Sequence, residues 1–218
     1  MSRCCRRVRT CAALLIGWLG LSCPAAPPHA SAAEPLVVVR VEEDWELVVA
    51  TPNPTSTAPQ VTCALSPTSD VDAVYAAFEL NHQSQPAFTP GGMQLQIWNN
   101  ETPVSSHKFP QAGQMATPNE TVRWTQTMAL ESGTLQFEIT GGTSTTWGNF
   151  GGQGYLKAAV NTNLTDLNAY DPAVSVSNSG IGYAANRVEK LALKQVRVTL
   201  ADGQVVVDAT ERLVYPNN

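Results

Sequence analysis

Apolar and polar side chains alternate with a period of two over most of the chain after residue 34. This period is typical of β-strands that bury one face and expose the other. Glycine, proline, asparagine and serine cluster between the alternating segments, roughly every 8–12 residues. The alternation is cleanest in four segments: Val74–Gln83, Met93–Trp98, Val122–Leu130 and Thr134–Thr140. The pattern therefore predicts a succession of short antiparallel strands.

Weaker alternation predicts further strands on both sides of these four segments. They are Leu36–Val41, Trp45–Ala50, Val61–Leu65, Tyr155–Val160, Val174–Val176, Gly182–Ala185, Leu191–Leu200, Gln204–Val207 and Arg212–Tyr215. The first two could form one strand or two, because the acidic run Glu42-Glu43-Asp44 separates them. The apolar parity changes at Lys194-Gln195, which predicts a β-bulge there. Asn163–Tyr170 has helical spacing and is predicted to form a short helix or a turn.

Short strands with frequent turns favour an all-β fold of two packed antiparallel sheets, a β-sandwich with little or no helix. A jelly roll of lectin-like, concanavalin-type architecture is the predicted arrangement, and a closed barrel is the alternative. The sequence texture is similar to that of lectin-like and carbohydrate-binding jelly rolls. This resemblance concerns the type of fold and implies no particular ligand.

The first 33 residues have the pattern of a secretory signal peptide. A cluster of four arginines within Arg3–Arg9 precedes an uncharged apolar stretch, Cys11–Leu21. Small residues at Ala30–Ala33 offer a cleavage site. The apolar stretch is too short for a helix that spans a bilayer, which needs about 20 residues. The sequence predicts a signal peptide at 1–33, a single domain at 34–218 and no transmembrane helix after signal removal.

The same segment also fits a bacterial lipoprotein signal. In Leu19-Gly20-Leu21-Ser22-Cys23 a small residue precedes Cys23, whose lipidation would make it the first residue of an anchored protein. Gly20 stands where such signals usually carry leucine. Two predictions of localisation stay open: free export to the periplasm or extracellular space, and a lipid anchor through Cys23.

Removal of the signal peptide changes the charge balance. All eighteen acidic residues lie at or after Glu34, whereas four of the thirteen basic residues precede it, which leaves nine basic residues and a formal net charge of −9. Such a charge repels phosphate backbones and argues against a nucleic-acid partner. Cys63 is the one cysteine after residue 34. Its alternating apolar surroundings favour a buried, unreactive thiol.

If the four cleanest segments belong to one sheet, their polar sides form a shared face. That face would carry Tyr75, Glu79, Asn81, Gln94, Gln96, Trp98, Arg123, Thr125, Gln136 and Glu138. Proteins bind sugars with this combination, because flat aromatic rings cover the apolar side of a pyranose while amides and carboxylates satisfy its hydroxyl groups. Trp98 is the strongest indication, since a large aromatic side chain on a wet face needs a reason. The alternative is an ordinary solvated sheet face.

A second candidate region is the glycine-rich segment Gly141–Gly154, which contains six glycines. Glycine permits sharp turns and a close approach of the backbone to a ligand. Trp147 and Asn149 would extend the binding site if this segment is a binding loop. The alternative is a tight loop in which Trp147 and Phe150 close the end of the core.

The sequence contains no motif that is specific for catalysis or for a cofactor. Glu79 and Glu138 are a candidate acid/base pair if they share the polar face, as in glycoside hydrolysis. The run Glu42–Glu46 is interpreted as a solvated acidic edge or turn. Loop aspartates could hold a structural calcium ion, but their spacing matches no calcium loop and no ion is assigned to them: Asp70, Asp72, Asp166 and Asp171.

These observations favour an exported, non-catalytic domain that binds a glycan or another cell-surface component. The alternative is a structural or assembly component of the cell envelope without a small ligand. A glycan-cleaving enzyme that uses Glu79 and Glu138 is the third hypothesis. The sequence does not indicate an oligomeric state.

Overall fold

A computed structural model describes residues 36–51, 58–81, 92–109 and 115–216. Within these ranges the chain forms thirteen strands, one short helix and one 3-10 turn. The strands pair antiparallel in two sheets, which confirms the predicted all-β, two-sheet sandwich. The predicted signal peptide and Cys23 lie outside the described residues. The jelly-roll arrangement stays a prediction.

The larger sheet contains eight strands. They are β1 (Val38–Val49), β6 (Glu120–Glu131), β7 (Thr134–Ser144), β8 (Gly148–Phe150), β9 (Lys157–Asn161), β11 (Val188–Leu200), β12 (Val205–Asp208) and β13 (Arg212–Tyr215). Their order is β12-β11-β1-β6-β7-β8, with β13 also paired to β11 and β9 to β7. Strand β1 is continuous through the acidic run, so the first two predicted segments form one strand. It lies in the middle of the sheet.

The smaller sheet contains five strands. They are β2 (Gln60–Leu65), β3 (Val74–Leu80), β4 (Met93–Asn99), β5 (Thr102–Phe109) and β10 (Gly180–Tyr183). Their order is β10-β2-β3-β4-β5. The four cleanest segments are therefore split, with β3 and β4 here and β6 and β7 in the larger sheet. The premise of one shared polar face is wrong, because alternation shows which side of a strand is buried and not which sheet the strand joins.

Aromatic side chains join the two sheets in the core. Trp45 of β1 stacks on Trp124 of β6, with ring centroids 6.3 Å apart and planes 6° from parallel. Phe78 of β3 packs on the same Trp124 across the sandwich, at a centroid distance of 5.7 Å. Such pairs add stability beyond the burial of their surface. Cys63 of β2 is also buried in this core, as the sequence predicts.

The helix, α1, spans Pro172–Asn178, where a weak strand was predicted. The side chain of Asp171 accepts a hydrogen bond from Ala173 N at 2.8 Å and caps the helix, and proline occupies the first turn. An aspartate followed by proline is a strong helix start, which outweighs the strand preference of two valines. Asn163–Tyr170 forms turns and no helix. No helix in the described ranges is long and apolar enough to cross a membrane.

The predicted bulge in β11 is confirmed. Asp44 pairs with Gln195 and the next residue, Trp45, pairs with Leu193, so Lys194 is the extra residue. Two strands were missed, β5 and β8. Strand β5 is at the edge of its sheet and has Pro103 near its start, which is typical of edge strands. Because most of its side chains are exposed, no alternation marks it.

Candidate functional site

A depression of about 220 Å³ lies on the outer face of the smaller sheet. Nine described residues line it: Thr62, Ala64, Val71, Tyr75, Ala77, Glu79, Gln96, Trp98 and Asn178. They come from β2, β3, β4, the β2–β3 loop and the end of α1. Four of them, Tyr75, Glu79, Gln96 and Trp98, belong to the predicted polar face. The half of that face carried by β3 and β4 therefore forms one concave surface.

Two aromatic side chains form one wall of this depression. Tyr75 and Trp98 are direct partners across the β3–β4 ladder, so both project from the same side of the sheet. Each is half-buried rather than packed into the core. Opposite Trp98, strand β5 has an extra residue, because Ile97 pairs with Ser105 and Trp98 pairs with Pro103. Bulges of this kind often re-aim a side chain beside a binding site.

Polar side chains lie beside the aromatic wall. Glu79 and Gln94 are cross-strand partners, and Gln94 Nε2 donates a hydrogen bond to Glu79 Oε2 at 3.1 Å. Gln94 is buried, so it orients the carboxylate and does not itself face a ligand. Gln96 and the exposed Asn178 supply amides at the rim. An amide and a carboxyl group beside flat rings can bind a hydroxylated ring.

A second depression, of about 460 Å³, adjoins the first and shares Val71 and Tyr75 with it. Its remaining lining residues are Asp72, Asn100 and Glu101. A hydrogen bond from Asn100 N to Ala73 O, 3.2 Å long, ties the β4–β5 turn to the β2–β3 loop. Two loops of the smaller sheet thus extend the site beyond the strands.

Besides the strand residues Ala64 and Ala77, sequence reasoning missed six lining residues of the two depressions. They are Thr62, Val71, Asp72, Asn100, Glu101 and Asn178. Thr62 could have been found, because it is the polar member of the alternating segment Val61–Leu65. The others lie on loops or at the end of α1, where no periodicity marks an orientation.

Six residues of the predicted face do not line this site: Asn81, Gln94, Arg123, Thr125, Gln136 and Glu138. Asn81 is fully buried, and its side chain donates to Pro59 O at 2.8 Å and accepts from Met115 N at 3.4 Å. Its role is to hold two loops at the end of β3. Arg123 lies on the outer face of the larger sheet, where Nε donates to Glu46 Oε2 at 2.9 Å. The prediction for Asn81 is wrong because its side chain is buried, and the prediction for Arg123 is wrong because β6 belongs to the larger sheet.

Trp147 and Asn149 lie in the β7–β8 hairpin of the larger sheet and do not line the depression. Phe150 is buried, and Trp147 packs edge-on against it at a centroid distance of 6.5 Å. Buried Glu120 accepts hydrogen bonds from Thr146 N at 2.8 Å and from the hydroxyl of Ser144. The hairpin is therefore a clamped cap on the core, which was the alternative interpretation of this segment.

The candidate acid/base pair is divided between the two sheets. Glu79 points outward from β3 of the smaller sheet, whereas Glu138 points outward from β7 of the larger one. Glu138 forms an ion pair with Lys157, its cross-strand neighbour on β9, at 3.4 Å. Two carboxylates on opposite outer faces cannot flank one glycosidic bond, so this pair does not form a hydrolytic site.

The acidic run is not a solvated edge. Glu43 is fully buried in the core, where Trp45 Nε1 and Tyr170 Oη donate hydrogen bonds to its carboxyl oxygens at 3.0 and 2.8 Å. Burial raises the pKa of Glu43 to about 7, although these donors lower it. Burial and the charge of Glu43 raise the pKa of the nearby Cys63 thiol as well. An unreactive Cys63 is consistent with that direction.

Its neighbours Glu42, Asp44 and Glu46 face outward from β1 and form ion pairs. Both terminal nitrogens of the Arg197 guanidinium donate to the Asp44 carboxylate, with Nη2 3.0 Å from Oδ1. Arg123 Nη2 lies 2.8 Å from Glu46 Oε2. Lys190 and Lys194 join the same cluster through Glu46 and Glu211. Most of the basic side chains of the described ranges are therefore engaged on the larger sheet.

No three histidine, cysteine or acidic side chains come together in the described ranges in a way that could hold a metal ion. Three of the aspartates considered for calcium accept hydrogen bonds from backbone amides instead. Asp70 binds Asp72 N at 3.1 Å, Asp166 binds Asn168 N at 3.1 Å, and Asp171 caps α1. These contacts are those of aspartates that shape turns.

The depression on the smaller sheet is built from residues of several elements and does not correspond to a sequence motif. A function can therefore be assigned only from its geometry. No protein-family model matches this chain, and no curated protein matches it in sequence.

Proposed function

We propose that this chain is an exported, non-catalytic binding domain whose ligand is a glycan, bound in the depression on the smaller sheet. The main support for this proposal is the half-buried aromatic pair, Tyr75 and Trp98. The pair lies beside Glu79 and Gln96. Rings at this position cover the apolar face of a sugar, while the carboxylate and the amide bind its hydroxyl groups. The depression is small, so it suits one ring, and the neighbouring depression suits the next.

The pattern of the first 33 residues supports export, to the periplasm or the extracellular space, with a lipid anchor through Cys23 as the alternative. A glycan at a cell surface is accessible to such a protein. The separation of Glu79 from Glu138 supports binding without hydrolysis.

A glycan array probed with residues 34–218 tests this proposal. We expect binding to at least one glycan class and a loss of about tenfold in affinity for Trp98→Ala, because removal of a stacked indole costs on the order of 1 kcal/mol. Trp147→Ala is the matched control, since Trp147 lies in the turn between β7 and β8 and does not line the depression, and it should bind normally. No glycan binding, or equal losses in both variants, would refute the proposal.

A second candidate function is that of an assembly component of the cell envelope without a small ligand. One observation favours it. Strand β12 is at the edge of the larger sheet, and its consecutive valines Val205, Val206 and Val207 are each about half exposed. An uncovered apolar edge strand is a surface on which another strand can pair.

A further inference from the structure

We infer that the segment 162–179 is a pH-dependent closure, which stays docked on the core while Glu43 is protonated and opens when that carboxyl group ionises. The segment connects β9 of the larger sheet with β10 of the smaller one and contains α1. Its residue Asn178 lines the depression, so opening would alter the candidate binding site. The effect on a ligand rests on the proposed function, whereas the closure itself does not.

Hydrogen bonds to the sheets dock the segment at both ends. Near its start, Leu167 N donates to Val38 O of β1 at 2.8 Å, and the Leu167 side chain is buried in the core. At its end, Ser179 Oγ accepts a hydrogen bond from Ala64 N of β2 at 2.9 Å. The stretch between these anchors, which includes α1, is held by its contacts with the core.

Glu43 is the buried group that this middle stretch covers. Tyr170 Oη donates a hydrogen bond to Glu43 Oε1 at 2.8 Å. Ser175 is the one buried residue of α1, and its hydroxyl lies close enough to lower the pKa of Glu43. The third neighbour, Trp45 Nε1, comes from β1 itself and donates to Glu43 Oε2 at 3.0 Å. Opening of the segment would remove two of these three groups and admit water to the carboxyl group.

The titratable and charged groups around Glu43 come from three other parts of the fold. They are Cys63 of β2, Tyr170 with its neighbour Asp171 in the segment, and Arg212 of β13. Burial and the charge of Glu43 raise the pKa values of both Cys63 and Tyr170. Arg212 acts on Glu43 only through its charge and is itself paired with Asp208. In the described ranges no lysine or arginine forms an ion pair with Glu43 that would compensate its ionisation.

A buried acceptor on β6 indicates that the closed form holds the protonated carboxyl group. Gln126 is the cross-strand partner of Glu43, and both side chains are buried in the core. Gln126 Nε2 donates to Cys63 O at 3.4 Å, while Gln126 Oε1 is buried without a hydrogen-bond partner among the described residues. A neutral carboxyl group has one O–H to donate, whereas a carboxylate has none. Ionisation of Glu43 would place two acceptors side by side with no donor between them, which favours opening.

The direction of the pH effect follows from this burial. Desolvation raises the pKa of Glu43 to about 7 in the closed protein. In the open form water reaches the carboxyl group, and we expect its ordinary pKa of 4.5. Between these values the closed form keeps a proton that the open form releases. The equilibrium constant for opening should therefore rise by about 50-fold from pH 5 to pH 7.5 and then level off.

The end of α1 transmits the opening to the depression. Asn178 Nδ2 donates to Val174 O at 2.8 Å, so the folded helix fixes the position of this side chain. Asn178 lines the same depression as Tyr75 and Trp98. Release of α1 would therefore remove one part of the rim of the candidate binding site.

Amide hydrogen exchange at pH 5 and pH 7.5 tests the closure in residues 34–218 without any ligand. After correction for the intrinsic pH dependence of exchange, protection within 162–179 should fall by about 50-fold at the higher pH. At each pH the segment should exchange faster than β6, because a local opening requires less free energy than global unfolding. In Glu43→Gln the fall should disappear, whereas the exposed control Glu131→Gln should behave like wild type.

The variant Tyr170→Phe distinguishes titration of Glu43 from simple loss of packing. The hydrogen bond from Tyr170 lowers the pKa of Glu43, so its removal should raise that pKa. We expect the pH at which protection levels off to move above about 7. A merely structural role of Tyr170 would weaken docking at every pH and leave that point unchanged.

A fluorescent label at the rim tests the link to the depression. A bimane group attached to Asn178→Cys should be quenched by the nearby Trp98 at pH 5 and should recover its emission at pH 7.5. Cys63 is buried and should stay unlabelled. Trp98→Phe is the control and should lose most of the quenching at pH 5.

Each outcome bears on a different step. Equal protection of the segment at the two pH values, or exchange of the segment at the rate of β6, would overturn the closure. Exchange that depends on pH while bimane emission stays constant would overturn the link to the depression. A glycan array without binding would overturn the proposed function and would leave the exchange results unaffected, so the two failures can be told apart.

Discussion

At the scale of single residues, Glu43 is a carboxyl group inside an apolar core. It lies on the inward side of β1 together with Val41, Trp45 and Leu47. Every second residue from Val41 to Leu47 is buried, without interruption. Its burial could therefore have been predicted by continuing the alternation through the acidic run. The sequence could not show which groups would surround it, because Tyr170 is distant along the chain and reaches Glu43 only in the fold.

Burial of Glu43 makes the stability of the domain depend on pH. In the folded state its pKa is about 7, against an ordinary value of 4.5. Between these values the folded chain retains a proton that the unfolded chain has released, so stability falls as pH rises through this window, by roughly 3 kcal/mol in all. Hydrogen bonds with Lys190 and Lys194 shift the pKa of Glu211 in the opposite direction, below its ordinary value.

The variant Glu43→Gln should remove this dependence, because glutamine has nearly the same shape and does not ionise. We expect wild-type protein to be more stable at pH 5 than at pH 8 in urea titrations followed by tryptophan fluorescence. The variant should have similar midpoints at both values of pH. Exposed Glu131→Gln is the control and should behave like wild type. A wild-type protein more stable at pH 8 would contradict the assignment.

At the scale of elements, period-two alternation located the strands that bury one face against the core. Both outer boundaries of β1 and the bulge at Lys194 follow from it within a few residues. It missed β5, which is exposed on an edge, and it placed a strand where Asp171 and Pro172 begin α1. Four of the twelve lining residues could be predicted, among them Tyr75 and Trp98, which are cross-strand partners on β3 and β4. The assignment of hairpins to sheets depends on contacts distant in sequence.

In the β7–β8 hairpin, packing requires a glycine at position 142. A Cβ atom on Gly142 would lie 2.3 Å from the buried ring of Phe150. We expect Gly142→Ala to destabilise the domain by about 1–3 kcal/mol, the usual effect of overpacking a core. Gly180→Ala is the control, because a Cβ there meets no atom within 4 Å. Urea titrations would measure both, and a Gly142→Ala variant as stable as wild type would show that the hairpin does not close the core.

At the scale of the whole molecule, the two sheets present different outer faces. The larger sheet is covered across β11, β1 and β6 by ion pairs between arginine or lysine and the outward acidic residues of β1. The smaller sheet carries the depressions and few basic groups. The ion-paired surface and the concave surface are thus on different sheets. Under the proposed function, a small ligand would bind on the smaller sheet, and the edge of the larger sheet would be left for contacts with another chain.

That edge carries a prediction about self-association. Val205, Val206 and Val207 on β12 are 51, 48 and 53% exposed, and no described strand pairs with their outer side. If the domain assembles, two copies should pair along β12, and sedimentation velocity should show a dimer that grows with concentration. Val206→Lys should abolish the dimer, since an edge lysine opposes strand addition. Val104→Lys, at an exposed valine on the edge strand of the smaller sheet, should not. A wild-type protein that stays monomeric at every concentration would remove the support for assembly and leave glycan binding as the function of the domain.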